Sequence, residues 1–179
     1  MDTNTRVEQG VELGLESAVE SLLERAVRVL AVATEITTIK NPEDVPLHVV
    51  RCLMREFGLQ AASVLRPDPS TGELCFVAEM GVPPEVRHLG FRPSGTAWTV
   101  FKSGEPQFVE NVVQDRSQSS DISTYFQSYA CLPLEYRKSL LGLLFVNYKD
   151  PHVFDAMERQ ILITFASQTA AALGGLTGT

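Results

Sequence analysis

The side chains best equipped for chemistry are three cysteines and three histidines, and their spacing gives them little to do together. Cys52, Cys75 and Cys131 stand 23 and 56 positions apart with no CxxC pair, a pattern that suits neither a disulfide framework nor a zinc knuckle. They read as reduced thiols that pack as small hydrophobes, with Cys75 and Cys131 on strands. His48, His88 and His152 have no neighbour at metal-ligand spacing and read as surface or helix-end residues, so neither a metal nor a cofactor is expected. P-loop, GxGxxG, HExxH and GxSxG patterns are absent. The carboxylates are spread along amphipathic faces, so no acid and base stand out as a pair. No catalytic residue is expected, and the chain reads as a non-enzyme.

The remaining concentration of chemistry is aromatic. Phe91, Trp98, Phe108, Tyr125, Phe126 and Tyr129 gather within one part of the chain, and Cys131 follows on the next strand. An aromatic lining with a few polar handles is the usual composition of a small-molecule site, and the phenols and the indole N–H could orient a ligand there. These seven residues are the candidate ligand-binding set.

The stretch that carries them, FRPSGTAWTVFKSGEPQFVEN from Phe91 to Asn111, reads as a short helix from Gly95 to Ser103. Ser94 is placed to cap that helix, Gly104 to stop it in the left-handed region, and Pro106 to open a strand over Gln107–Val109. Asn111 to Ser123 is polar and reads as a loop that ends in Ile122, Tyr125 and Phe126.

Other elements must hold this stretch. From Val7 to Thr38 no proline occurs, and a long helix is expected. Along it Leu15, Val19, Leu22, Ala26, Val29, Ala33 and Ile36 alternate by fours and threes, the seam of a coiled coil, and so a candidate dimer interface. Glu8, Glu12, Glu16, Glu20 and Glu24 form a second stripe, which repels itself and belongs in water. A second helix is expected from Pro42, capped by Asn41, to Phe57, with Gly58 as its stop. Ala61–Arg66 and Glu73–Met80 read as a hairpin, and Tyr129–Tyr136 and Ser139–Tyr148 as a second one turning at Arg137 and Lys138. The run LLGLLFV is too continuously apolar for a one-sided strand, so it should lie in the middle of the sheet. A last helix is expected over Asp155–Leu173.

This order predicts an α+β fold, a central antiparallel sheet of five to six strands covered by helices, with a long N-terminal helix in front. The division is 1–40 for that helix, 41–174 for one domain and 175–179 for a flexible tail. At 179 residues, 44% apolar and 21% charged, the chain can build one full core. A net charge of −7 without a basic run disfavours nucleic acid and anionic membrane as partners. No apolar run is long enough to span a bilayer, and the acidic amino terminus is unlike a signal peptide, so a cytoplasmic protein is expected.

Three segments in order, RPSGTAWTVFKSGEPQFVENVVQD, YACLPLEYRKSLLGLLFVNY and FDAMERQILITFASQTAAAL, resemble a GAF domain over roughly Pro42 to Leu173. The resemblance implies a profilin- or PAS-type sandwich that binds a small molecule between its sheet and the segment from short helix to loop. It also implies a homodimer formed through terminal helices, and an output domain or a partner such as a kinase, cyclase or transcription regulator. Cyclic nucleotide is not implied. The Asn-Lys-Phe-Asp-Glu signature of that branch meets Asn147, Lys149 and Phe154, but Tyr148 interrupts it, and Glu158 and Arg159 replace its acids. The tetrapyrrole branches need a cysteine for covalent attachment or a histidine for haem, and Tyr125–Tyr129 itself supplies neither. The expected function is thus a non-catalytic sensory domain that signals through a helical dimer. Alternatives are a structural homodimerisation module without ligand and a thiol-based free methionine sulfoxide reductase, which would need grouped cysteines.

Overall fold

A computed structural model describes residues 38–88, 91–113 and 124–176, together with positions 19, 20, 23, 24, 27, 30–32 and 34–36. Five strands, β1 (Ala61–Pro67), β2 (Leu74–Met80), β3 (Gln107–Val109), β4 (Ser128–Tyr136) and β5 (Ser139–Tyr148), form one antiparallel sheet in the order β2-β1-β5-β4-β3. The continuously apolar strand β5 is central, as its sequence requires. Four helices with described bounds accompany the sheet, α1 (Val45–Phe57), α2 (Pro84–His88), α3 (Thr96–Ser103) and α4 (Ala156–Leu176), and the described positions between 19 and 38 are helical as well. No described helix is long and apolar enough to cross a membrane.

The strand period of two divides the sheet between two cores. On one face Ala62, Val64, Ala130, Leu132, Leu134, Leu144 and Val146 join the apolar sides of α1 and α4, through Val49, Leu53, Leu162, Phe165 and Leu173. Val32 and Ile36 enter the same core. On the opposite face Leu65, Leu143, Tyr129 and Cys131 pack with Ala97 and Val100 of α3.

Local chemistry explains the turns. The β4–β5 hairpin turns through Arg137 and Lys138, both at positive φ (50° and 69°), the geometry that matches strand twist in a two-residue turn. Between β1 and β2 the Asp68 carboxylate accepts from the Ser70 hydroxyl and from the backbone N–H groups of Ser70 (2.8 Å) and Thr71 (3.0 Å). Those donors hold its carboxyl below the usual carboxylate range, with the Ser70 hydroxyl the largest cause.

Two helix starts differ from the sequence expectation. α1 begins at Val45, after Asp44 and with Pro46 in its first turn, whereas the Asn41 side chain accepts from Glu43 N–H in a tight turn (3.2 Å). α3 begins at Thr96, and its cap position is Gly95 in extended conformation rather than Ser94. The helix α2 has no counterpart in the sequence expectation, and Pro84, whose missing N–H costs nothing at a first helical position, opens it. Most of the predicted N-terminal seam, Leu15, Leu22, Ala26, Val29 and Ala33, lies outside the described residues. Of its described members Val19 is exposed, and Ile36 is fully buried in the core of its own domain.

Candidate functional site

Register decides which side chains share the face beneath α3. One row across the sheet runs Glu79, Ser63, Phe145, Cys131, Gln107, and the next runs Ala61, Asn147, Tyr129, Val109. Directly paired residues project to the same side, so these rows form a floor with a polar component. Ser63 is 2% exposed and Asn147 7% exposed, and neither makes a side-chain hydrogen bond among the described residues. Glu79 holds the edge of the row. Its Oε1 pairs with Arg87 Nε of α2, whereas Oε2 is shielded from solvent and accepts no hydrogen bond among the described residues. A buried acceptor of that kind costs about 1–3 kcal/mol until a donor reaches it.

The roof comes from α3. Gly104 stops that helix at φ 71°, where its N–H donates to Val100 O (2.9 Å) and turns the chain down into β3. Thr96 and Tyr129 join roof to floor through their hydroxyls (2.6 Å). Trp98 is half-buried, edge-on to Phe101 with centroids 5.7 Å apart, and the Lys102 ammonium lies 6.0 Å from its ring. Phe91 packs on Phe76 at 5.3 Å, and Tyr129 on Phe145 at 6.0 Å. Beside them Tyr125 and Phe126 pack with Ala61, Val82, Val86 and Phe76.

Of the seven residues singled out in the sequence, six therefore lie on one side of the sheet: Phe91, Trp98, Tyr125, Phe126, Tyr129 and Cys131. Phe108 does not join them. Its row partner is Ala130, so it projects to the opposite face, where it packs on Phe154 (5.3 Å) beneath the Arg159 guanidinium (4.6 Å). Clustering in sequence hid this, because a single step along β3 exchanges the faces. Ser63, Glu79 and Asn147 were missed altogether. A polar side chain inside an otherwise apolar strand was the available signal, most clearly in AASVL around Ser63.

The thiols do not converge on this face. Cys131 is on its floor, Cys52 is on α1 beyond the other face, and Cys75 is on β2, three strand spacings, or about 14 Å, from β4. A disulfide needs Cα atoms within about 7 Å, so Cys131 has no cysteine partner here. Burial raises the Cys131 thiol well above its ordinary range, and Cys52 is raised too, again chiefly by burial. The stability that these neutral thiols supply is complete below the unfolded-state pKa of about 8.5 and is lost as pH rises beyond it, because the unfolded chain then releases protons that the native chain keeps. A thiol reagent at pH 8 is accordingly expected to modify the exposed Cys75 quickly, and the other two only upon unfolding. Three fast thiols counted in the native protein would contradict that packing.

The nucleotide-signature region does structural work at the start of α4. Glu158, 7% exposed, accepts from Tyr148 Oη (2.6 Å) and contacts His152 Nε2 through both oxygens (2.7 and 2.9 Å). Arg159 donates to Phe154 O (2.8 Å) and to Glu110 (2.9 Å). Both acidic positions of the signature are occupied by groups already engaged with their own chain.

A family model described as GAF domain matches residues 40–174. The chain is similar to the GAF domain of a phosphoenolpyruvate-protein phosphotransferase from Coxiella burnetii, with TM-score 0.76 and 19% identity, covering 87% of this chain and 96% of that one. It is similar to a domain of a two-component sensor histidine kinase protein from Sinorhizobium meliloti (TM-score 0.61, 22% identity, 73% and 88% covered). It is also similar to the free methionine-R-sulfoxide reductase from Neisseria meningitidis, solved with its substrate (TM-score 0.74, 15% identity, 86% and 92% covered). At these identities the likeness shows the fold. No curated protein sequence matches the chain.

Proposed function

Because the chain belongs to the GAF domain family, we propose that it is a non-catalytic sensory or regulatory domain that holds a small molecule on the floor built by Ser63, Glu79, Asn147 and Tyr129. The acceptor at Glu79 Oε2 carries this reading, since a ligand that donates a hydrogen bond there would relieve a shielded carboxylate oxygen that accepts none among the described residues. Phe91, Trp98, Tyr125, Phe126, Tyr129 and Cys131 supply the apolar contacts. α3, tied to the floor by Thr96, is the element that ligand contact would move. Similarity to domains of a sensor kinase and a phosphotransferase supports a regulatory role in signal transduction, in the cytoplasm, coupled to an output domain or partner. A thermal-shift screen of amines, amides and alcohols of metabolite size is expected to yield at least one stabilising compound. A screen without any hit would remove the ligand and leave a structural module.

The change is transmitted, on this reading, by a homodimer formed through the N-terminal helix. Described residues of that segment expose Val19, Leu23, Val27 and Leu30, each between 58% and 67%, on spacings of four, four and three. Burying such a stripe against a second copy is worth about 25 cal/mol for each Å² covered. Leu30→Glu is expected to convert the dimer to a monomer in light scattering at tens of micromolar, on the order of useful dimer affinities, with the domain's melting point unchanged. A wild-type protein already monomeric under those conditions would contradict the interface.

A further inference from the structure

A second site lies on the far side of the sheet from the ligand floor, where the N-terminal segment meets α1. His48 and Cys52 stand one helical turn apart on α1, and Glu35 reaches them from the N-terminal segment. Reading the histidines singly hid this spacing of four, which puts both side chains on one side of a helix.

The two distances from Glu35 are those of a coordination shell. Glu35 Oε2 lies 3.4 Å from His48 Nε2 and 3.7 Å from Cys52 Sγ, and all three donor atoms fall within 4.8 Å of one another. A tetrahedral zinc ion with bonds of 2.0–2.3 Å keeps its ligand atoms about 3.3–3.7 Å apart. His48 Nε2 is screened from solvent and makes no hydrogen bond among the described residues, although Glu35 Oε2 lies 3.4 Å away. The Cys52 side chain is buried, and its thiol donates to Glu35. Thus one imidazole nitrogen, one sulfur and one carboxylate oxygen lie within 4.8 Å of one another, and the imidazole nitrogen has no hydrogen-bond partner among the described residues.

We propose that Glu35, His48 and Cys52 bind a borderline-soft divalent cation of the zinc class, with water as the fourth ligand. Binding replaces the thiol proton of Cys52, which is released to solvent, and leaves the sulfur as a thiolate ligand. Arg55 is the competing cation. Its terminal nitrogen is 3.8 Å from Glu35 Oε2 and 3.9 Å from Cys52 Sγ, while its Nε donates to Glu56 at 2.7 Å. Its hold on Glu35 is the looser one and its side chain is more than half exposed, so it can withdraw onto Glu56 when the ion enters. The ion then fastens the root of the N-terminal helix to α1 and couples metal availability to the segment that leaves the domain. This site is independent of the small-molecule reading.

The test is titration of the full chain with Zn²⁺ against a chromophoric chelator, and with Co²⁺ followed by absorbance. One equivalent should bind, with the intense visible bands of tetrahedral Co²⁺ and a near-ultraviolet sulfur charge-transfer band. Cys52→Ser and His48→Gln should each weaken binding at least about 10-fold, the usual scale for loss of metal-site partners, and Cys52→Ser should abolish the charge-transfer band. Cys75→Ser should leave both intact. Arg55→Gln should tighten binding, a result that a merely structural ion pair would not give. Absence of the sulfur band in folded wild type, or affinity untouched by His48→Gln, would overturn the site. Circular dichroism of each variant distinguishes lost ligands from lost fold.

Discussion

Gly142→Val is expected to leave no native protein at room temperature. Gly142 sits in the middle of the central strand β5, and a Cβ built there would lie 2.2 Å from Leu65 O and 3.1 Å from Arg66 Cγ. Leu65 belongs to β1, whose own register is fixed on both sides by β2 and β5, so its carbonyl cannot retreat without breaking a ladder. Overpacking a core already costs about 1–3 kcal/mol where side chains can yield. Against backbone the cost is larger, and it is set against a total stability of about 5–15 kcal/mol. Gly175 provides the contrast. It lies in α4 with nothing within 4 Å of its would-be Cβ, and Gly175→Ala is expected to stabilise by up to about 1 kcal/mol through helix propensity alone. Urea midpoints for the two variants check both signs. A soluble, cooperatively folding Gly142→Val would mean that β1 and β5 do not approach as described.

The second large effect is on binding. Glu79→Gln should weaken the ligand by about 10- to 100-fold, the range for a hydrogen bond to a charged acceptor. The fold should hold, because the Arg87 partner is 47% exposed and such pairs contribute about 0–1 kcal/mol. Ser63→Ala should likewise reduce affinity while leaving melting unchanged or raised, since its hydroxyl makes no hydrogen bond among the described residues. Isothermal titration of a compound that stabilises the wild type separates these outcomes. Undiminished binding to both variants would place the ligand elsewhere.

Much of the architecture was legible because local and global signals agree. The β4–β5 hairpin could be read from two alternating runs around Arg137 and Lys138, and the central place of β5 from its unbroken apolarity. α1 and α3 were legible through Gly58 and Gly104, both left-handed stops in the structure. What escaped reading depends on contacts far apart in sequence. The floor needs β1 between β2 and β5, an adjacency of strands some 80 positions apart that no local pattern carries. Phe108 was grouped with the wrong neighbours for the same reason, because only pairing with Ala130 shows which way it points. Two of the three residues of the proposed cation site, His48 and Cys52, were visible on one helix, but Glu35 comes from a separate segment. Ile36 fits a coiled-coil seam by spacing and is taken up by the domain core, since helical periodicity does not distinguish an intramolecular partner from a second copy.

Ligand on the floor is expected to move α3, and the chain carries its own reporter for that event. Trp98 is the only tryptophan, and it stands on α3 among the proposed contacts. The most direct measurement is tryptophan emission during titration with a stabilising compound, in wild type and in Glu79→Gln. The predicted result is a saturable shift in wild type, with its midpoint displaced to higher concentration by the substitution. Emission that stays constant while the compound demonstrably binds would mean that α3 does not respond to ligand.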